Sequence, residues 1–126
     1  MPDLPHAPPH RLFEPGAYMV TGSTYGKVLY FRTRQRLDSL HDTLLGSLHE
    51  YGWCLQAWAV FPNHYHVVAF SPSEVATLRT ALSKVHTLSA IRVNEEDRQP
   101  GRRLVPVPRH GADVPAVLLR PTAVCA

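Results

Sequence analysis

The sequence predicts an α+β fold of the ferredoxin-like type, a split β-α-β unit with an antiparallel sheet and both helices on one face. Two observations predict it. Runs with strand alternation and longer runs with helical spacing follow one another in the order strand, helix, strand, strand, helix. A chain of 126 residues also has the length of a single domain with one core. A fourth strand after the second helix would complete this unit.

The N-terminal part predicts an arm, a strand and a helix. Residues 1–15 are rich in Pro and His and are expected to form a disordered arm. Alternation in the segment AYMVTGSTY predicts the first strand. A helix is expected from Arg34 to Tyr51, where Gly52 follows as a stop. Its buried stripe consists of leucines at helical spacing, namely Leu37, Leu40, Leu44, Leu45 and Leu48.

Two adjacent apolar runs predict an antiparallel hairpin. The second strand is CLQAWAVF, Cys54–Phe61, and the third carries HYHVVAF. Pro62 and Asn63 make a turn short enough to pair the two strands directly. We expect this hairpin to occupy the middle of the sheet. The helices cover one face of that sheet, and we expect the histidines to lie on the other, open face. Alternation along the second strand places one set of side chains on the same side: Leu55, Ala57, Ala59 and Phe61.

A capping signature predicts where the second helix begins. Ser71–Glu74 reads SPSE, the pattern of a capping box with Pro72 in the first turn. The apolar stripe that follows continues at helical spacing to Val93. Asn94–Gly101 is charged and ends in Pro-Gly, which predicts a loop.

Two histidines lie two positions apart on the third strand. Side chains alternate faces along a strand, so His64 and His66 project from the same side while Tyr65 points into the core. Such a pair offers two imidazoles to one metal ion or one substrate phosphate. An ordinary exposed sheet face gives the same pattern, because a chain with eight histidines produces such pairs by coincidence. The residues alone leave both interpretations open.

Composition excludes a membrane-spanning protein. No apolar run approaches the roughly 20 residues needed to cross a bilayer. The N-terminus lacks the charged start and apolar stretch of a signal peptide, so we expect a soluble cytoplasmic protein. A formal net charge of +3 permits nucleic-acid binding without requiring it.

Four segments together resemble a known family. GAYMVTGSTY, RLDSLHDTLLGSLHEYGW, QAWAVFPNHYHVVAFSP and LSKVHTLSAIRVNEEDRQPGRRL are similar in order and spacing to the REP-associated tyrosine transposases, single-strand transposases with an HUH motif and an IS200-like domain. The resemblance covers residues 16–104, and HYH supplies the motif. It implies a ferredoxin-like fold, a divalent metal (Mg or Mn) on His64 and His66, and single-stranded hairpin DNA as partner. The sequence leaves open whether the domain forms a homodimer.

The family's chemistry implies a tyrosine nucleophile. A metal ion polarises the scissile phosphate, and a tyrosine hydroxyl attacks it, giving a 5′ phosphotyrosine and a free 3′ hydroxyl. In the family this tyrosine lies on a helix after the fourth strand, in a segment resembling RLNYVHxNP, which often supplies a further metal ligand. Neither is found in this sequence.

Basic residues are candidates for contacts with DNA. Under the transposase interpretation they contact phosphates, which makes affinity salt-dependent and carries little sequence information. A solvated protein face explains the same residues equally well. The candidates are Arg32, Arg34 and Arg36 in one cluster and Arg102 and Arg103, beside Arg98, in another.

Residues 105–126 lack any helical or strand period, and an ordinary disordered tail is one interpretation. A shifted frame offers another, in which the last two bases of each codon join the first base of the next. Leu104–Ala126 then permit the string WFQYRDTVLTYPRSYYARLQYVH over 23 consecutive codons. This string resembles the family's fourth strand and tyrosine helix. We therefore expect an out-of-frame tail, a fourth strand that is missing or replaced by an irregular segment, and a nucleophile lost across codons 124 and 125.

Three functional classes follow. The first is a transposase-family protein that nicks and rejoins DNA, or its catalytically incomplete remnant. The second is a non-catalytic nucleic-acid binding module of the same fold, which needs no metal. The third is a histidine-based phosphoesterase, which requires a carboxylate base that the strand's neighbours in sequence do not supply.

Overall fold

The computed structural model describes residues 14–101 and 103–105 and the backbone of residues 116–120, so nearly all of the predicted N-terminal arm lies outside the described residues. All strand pairs are antiparallel, in the order β2-β3-β1-β4. The predicted α+β fold of the ferredoxin-like type is confirmed. Its elements are β1 (Ala17–Ser23), a 3-10 turn (Tyr25–Lys27), α1 (Arg34–Glu50), β2 (Cys54–Phe61), β3 (His64–Phe70), α2 (Thr77–Asp97) and β4 (Ala116–Arg120).

The core lies between the sheet and the two helices. Alternate residues of β3, Tyr65, Val67 and Ala69, are at most 1% exposed. Removing this apolar surface from water is the main favourable contribution to folding. Of the predicted α1 stripe, three leucines are buried, while Leu37 and Leu45 are partly buried against the core. The buried set includes Tyr18, Val20, Leu40, Leu44, Leu48, Leu78, Leu82 and Val85.

β2 lies at an edge of the sheet, so the prediction that both hairpin strands occupy the middle is wrong. The register of β2 against β3 also shifts between Leu55 and Ala57. Leu55 pairs with Ala69 on the core side, whereas Ala57 pairs with Val68 on the open side. An extra residue in one strand reverses the alternation beyond it, which explains why simple alternation misplaced Leu55.

α2 begins at Thr77, five residues after the Pro72 start that the capping box predicts. The Ser71 hydroxyl accepts a hydrogen bond from the Gly16 N–H (2.8 Å), and the Ser71 N–H donates to the Gly16 carbonyl (2.8 Å). Ser71 is thereby tied to the start of β1 and does not cap the helix. α2 continues to Asp97 and ends at Arg98, whose φ of 55° is left-handed. No helix among the described residues has the length and apolar character needed to cross a bilayer.

A fourth strand is present, which corrects the expectation that it is missing or replaced by an irregular segment. Ala116–Arg120 pairs with β1 from Val20↔Ala116 to Ala17↔Arg120, with one irregularity in the register. The free edge of β1 carries backbone groups that need partners, and the extended run AVLLR supplies them. The rest of the predicted tail, residues 106–115 and 121–126, lies outside the described part of the chain.

Candidate metal and nucleic-acid site

His64 and His66 lie together on the face of the sheet opposite the helices. Their ring centroids are 5.0 Å apart, with 70° between the ring planes. Phe61 of β2 pairs directly with His64 across the hairpin and stacks on it, at 4.4 Å between centroids and 11° between planes. Phe61 also meets the ring of His66 edge-on at 6.2 Å. These three rings, Phe61, His64 and His66, are called the histidine cluster below.

Each imidazole of the histidine cluster has a hydrogen bond at Nδ1. His64 Nδ1 lies 2.7 Å from Asn63 Oδ1, and His66 Nδ1 lies 2.9 Å from Thr21 Oγ1. An amide oxygen only accepts hydrogen bonds, so Nδ1 of His64 carries the proton and Nε2 keeps its lone pair. A ring nitrogen with a free lone pair, opposite a hydrogen-bonded one, is the usual arrangement in a metal-binding histidine.

The surroundings of His64 favour its neutral form. Partial burial lowers the pKa of His64, and the nearby His66 and Lys27 lower it further. Only the neutral imidazole has a lone pair for a metal ion, because the imidazolium form is protonated at both nitrogens. His64 therefore stays neutral to lower pH than an isolated histidine.

Further metal ligands are not found in the described part of the chain. There, no group of three or more His, Cys, Asp or Glu residues is placed to hold a metal ion. His64 and His66 supply two nitrogen ligands, so a divalent ion on this pair needs other ligands from water, from DNA phosphate or from elsewhere. The residues fit a metal ion in part.

Tyr65, between the two histidines, lies in the core as predicted. It is fully buried, and its hydroxyl lies 2.7 Å from Nε2 of His86 on α2. Burial raises the pKa of Tyr65 and lowers the pKa of His86 to about 4, so the phenol donates to the neutral imidazole. Gly22 faces Tyr65 across the sheet, where a Cβ atom would overlap the tyrosine ring. Tyr65 therefore has no access to a substrate on the open face.

Arg36, one of the predicted DNA-binding residues, is engaged within the protein. Its guanidinium pairs with Glu96 (2.6 Å) and Asp97 (2.7 Å) at the end of α2 and donates to the Tyr30 carbonyl (2.9 Å). Only 16% of its side chain is exposed. These bonds tie the start of α1 to the end of α2.

Arg103 is also engaged within the protein. It is 7% exposed, its Nε donates to Asn94 Oδ1 (2.5 Å), and its guanidinium lies 4.7 Å from the centroid of the Tyr30 ring. Neither Arg103 nor Arg36 presents its guanidinium to an incoming phosphate in this structure. Arg102 lies outside the described residues.

Arg32, which lies just before α1, and Arg34, its first residue, are both exposed. Arg34 has an 89% exposed side chain and forms one ion pair with Asp38 at 3.4 Å. Arg32 lines an open cleft of about 580 Å³ together with Leu29, Tyr30 and Thr33. Of the predicted arginines that the structure describes, these two have guanidinium groups available to phosphate.

Sequence reasoning missed three residues around the histidine cluster: Thr21, Lys27 and the side chain of Asn63. Thr21 meets His66 because β1 lies next to β3, a pairing between residues 45 positions apart. The Lys27 carbonyl accepts from Asn63 Nδ2 (3.2 Å), 36 positions away. Local pattern gives no signal for such contacts.

Two solved protein structures have a fold similar to that of this chain. No protein-family model and no curated protein sequence matches the chain. A solved structure of a candidate transposase from Deinococcus radiodurans R1 matches with a TM-score of 0.53 and 17% identity, over 76% of this chain and 82% of that one. A REP-associated tyrosine transposase bound to a REP hairpin matches with a TM-score of 0.51 and 13% identity, over 74% of this chain. The chain spans about half of that second protein, 53% of its length.

Identity this low establishes the fold alone. The chain therefore shares its fold with a candidate transposase and with a REP-associated tyrosine transposase, as its sequence predicted.

Proposed function

We propose that this chain binds single-stranded hairpin DNA and a divalent metal ion, Mg or Mn, and that it lacks the tyrosine needed for strand cleavage. One observation carries the proposal. His64 and His66 lie side by side on the open face of a transposase-like sheet, and Nδ1 of His64 faces the amide oxygen of Asn63, so the neutral ring has its lone pair at Nε2. The match to a transposase bound to a REP hairpin supports DNA as the partner.

His64 and His66 would hold the metal ion through their Nε2 atoms. When bound, the ion supplies Lewis-acid stabilisation of charge on a phosphate. Lys27 places a positive charge near His64, which favours the approach of a phosphate to the same site. The partly exposed ring of Phe61 offers a surface on which a base can stack. Arg32 and Arg34 would contact further phosphates of the same DNA strand.

The missing nucleophile follows from a frameshift that we infer at codon 104. The structure supports this position. Leu104 forms an isolated bridge with Thr24, and the Val105 N–H donates to the Ser23 carbonyl (2.9 Å), so the chain lies beside the end of β1 at the codon where the frames diverge. Continued in that register, the pairing would place Pro108 opposite Val20, whereas Ala116 pairs with Val20.

Proline residues in the sequence that follows Leu104 disfavour continuation of this pairing. Pro106 and Pro108 follow Leu104 in the frame that is read, and proline has no N–H to donate to a sheet. The alternative frame has WFQYR at the same positions, a run with strand propensity. In that frame the tyrosine of RLQYVH is read across codons 124 and 125, where this chain carries Val124 and Cys125.

Metal and DNA binding test the proposal together. Mn²⁺ is titrated into the purified chain and followed by electron paramagnetic resonance, and a labelled DNA hairpin with single-stranded flanks is followed by gel shift. The H64A/H66A variant is expected to lose Mn²⁺ binding, while H49A, which removes an exposed histidine of α1, retains it. The parent chain is expected to shift the hairpin without forming a covalent adduct.

Two results would contradict parts of the proposal. Failure of the parent chain to bind Mn²⁺, with or without the hairpin, removes the metal site. Hairpin binding that is unchanged by EDTA and by H64A/H66A favours the non-catalytic nucleic-acid binding module instead.

A further inference from the structure

We propose that Asn63 is a positioning residue for the metal site, which holds His64 in the Nδ1-protonated tautomer and so directs the Nε2 lone pair toward the metal. The inference rests on the proposed metal function and adds a residue to it. Sequence alone assigns Asn63 to the turn between β2 and β3.

The amide of Asn63 is oriented by two partners. Its Oδ1 lies 2.7 Å from Nδ1 of His64, and its Nδ2 donates to the carbonyl of Lys27 at 3.2 Å. A carbonyl accepts only, so the NH₂ end of the amide must face Lys27 and the oxygen must face the imidazole. Rotating the amide by 180° would set its oxygen against the Lys27 carbonyl oxygen, which loses that bond. The second contact therefore determines the first.

The segment that supplies the Lys27 carbonyl has an uncommon backbone. Gly26 and Lys27 are both left-handed, with φ of 61° and 60°. A non-glycine residue keeps such a conformation only where surrounding contacts hold it. The same segment also holds Asn63, because the main-chain carbonyl of Asn63 accepts from the Thr24 N–H (3.0 Å). Asn63 is thus fixed through both its side chain and its main chain.

His66 provides an internal contrast. Its Nδ1 faces the hydroxyl of Thr21, at 2.9 Å, and a hydroxyl both donates and accepts. Thr21 therefore permits either tautomer of His66, whereas Asn63 permits only one tautomer of His64. We infer that His64 is the preset ligand of the pair and that His66 adapts its tautomer when the metal binds.

Nitrogen NMR on the metal-free full chain with ¹⁵N-labelled histidine tests this directly. Two-bond correlations distinguish the two neutral tautomers of His64. The parent chain is expected to show Nδ1–H at His64, and N63A a mixture of both tautomers, because alanine removes the oxygen that accepts from Nδ1. Q56A serves as the matched control, since Gln56 is an exposed amide in β2 away from the cluster.

Metal affinity gives the second measurement. Loss of the partner that orients a metal-binding histidine typically weakens binding by about 10-fold to 100-fold, and we expect N63A to weaken Mn²⁺ binding by about 10-fold or more. Q56A should remain within about twofold of the parent. The unchanged NMR spectrum of the other histidines establishes that N63A is folded, and N63S replaces it if it is not.

The outcomes separate this inference from the proposed function. N63A with His64 still in a single Nδ1-protonated tautomer overturns the inference, and so does a changed tautomer with unchanged Mn²⁺ affinity. Failure of the parent chain to bind Mn²⁺ overturns the proposed function and with it the metal role of Asn63, whereas the NMR result still decides whether Asn63 sets the tautomer.

Discussion

The two sides of β1 are paired very differently. On the side of β3, which we call the histidine side, the ladder runs without interruption from Ala17↔Phe70 to Ser23↔His64. On the side of β4, the β4 side, four pairs and one irregularity are followed by a separate bridge at Leu104 that belongs to another register. The side that carries the proposed metal ligands is continuous, whereas the described pairs on the β4 side fall into two registers.

This difference follows from the sequences on either side. The histidine side combines β1 with a hairpin closed by a two-residue turn, and its side chains alternate between core and open face. On the β4 side, the sequence between Leu104 and β4 contains Pro106, Pro108 and Pro115. Proline has no N–H group to donate to a sheet. Along the chain, all strands of the histidine side precede codon 104, where we infer the change of frame, and β4 follows it.

The largest predicted effect breaks the histidine side. A Gly22→Val side chain would overlap the ring of the fully buried Tyr65, and neither strand can move away without breaking the ladder. We expect a loss of about 3 kcal/mol or more in the free energy of unfolding, enough to abolish cooperative folding of a marginal domain. The measurement is urea denaturation followed by circular dichroism.

Gly46 offers the matched control for that substitution. It lies in α1 with open space around its Cβ position, so Gly46→Ala should raise stability by about 0.5–1 kcal/mol through helix propensity. A G22V chain that unfolds like the parent would show that Tyr65 is not held as described.

His86 gives the next largest effect, which depends on pH. Burial lowers the pKa of His86 to about 4, whereas an unfolded histidine titrates near about 6.5. The unfolded chain therefore binds more protons between these values, and stability is fully present above about pH 6.5 and falls as the pH drops toward about 4. The span corresponds to at most about 3 kcal/mol.

The variant H86Q should flatten this part of the stability profile, because glutamine can still accept from the Tyr65 hydroxyl but does not titrate. H49Q, at an exposed position of α1, should leave the profile as in the parent. Parallel profiles for the parent and H86Q between pH 4 and pH 6.5 would contradict the buried neutral state of His86.

Much of the histidine side was predictable from local pattern. The leucine spacing gave α1 to within one residue, and alternation gave β3 with His64 and His66 on one face. The start of α2 was not predictable in this way. The Ser71 hydroxyl, which looks like a helix cap, accepts its hydrogen bond from the N–H of Gly16, 55 residues away. A local signature cannot show that its donor or acceptor is already engaged.

The site shows the same division. The histidine pair is visible in sequence because both ligands belong to one strand. Asn63 and Thr21 are not recognisable as its partners until β1 lies beside β3 and Lys27 lies under the turn. The fate of Arg36 was hidden for the same reason, since its carboxylate partners are about 60 residues away in α2. Charge in a sequence does not show whether a guanidinium is free.

Hydrogen exchange compares the two sides of β1 directly. β3 is paired on both of its edges and packed under the helices, whereas β4 is an edge strand. Local opening should therefore be easier in β4, and we expect its amides to exchange at least about tenfold faster than those of β3. Equal protection in the two strands would contradict the contrast between the two sides.

The smallest predicted effects concern the arginines. Changing either of the exposed residues Arg32 and Arg34 to glutamine should reduce the salt dependence of hairpin binding. On logarithmic axes, the slope of affinity against salt concentration should fall by about 0.7 for each substitution. Arg36→Gln should leave that slope unchanged and reduce stability instead, because it removes the partner of Glu96 and Asp97.

The stability loss in R36Q should depend on pH. The bond to Arg36 lowers the pKa of Asp97, so the pair contributes above the usual carboxyl range and is lost as the pH falls through it. Denaturation at neutral and acid pH measures this. A reduced salt slope in R36Q would show that Arg36 contacts DNA after all.

The most direct test of the account uses the gene itself. One base is deleted at codon 104, which restores the WFQYR frame, and the original and corrected proteins are incubated with labelled hairpin DNA and Mn²⁺ and separated on a denaturing gel. We expect a covalent protein–DNA adduct only with the corrected protein, and none when H64A/H66A is combined with it. An adduct formed by the original chain, or none by the corrected one, would contradict a nucleophile lost by frameshift.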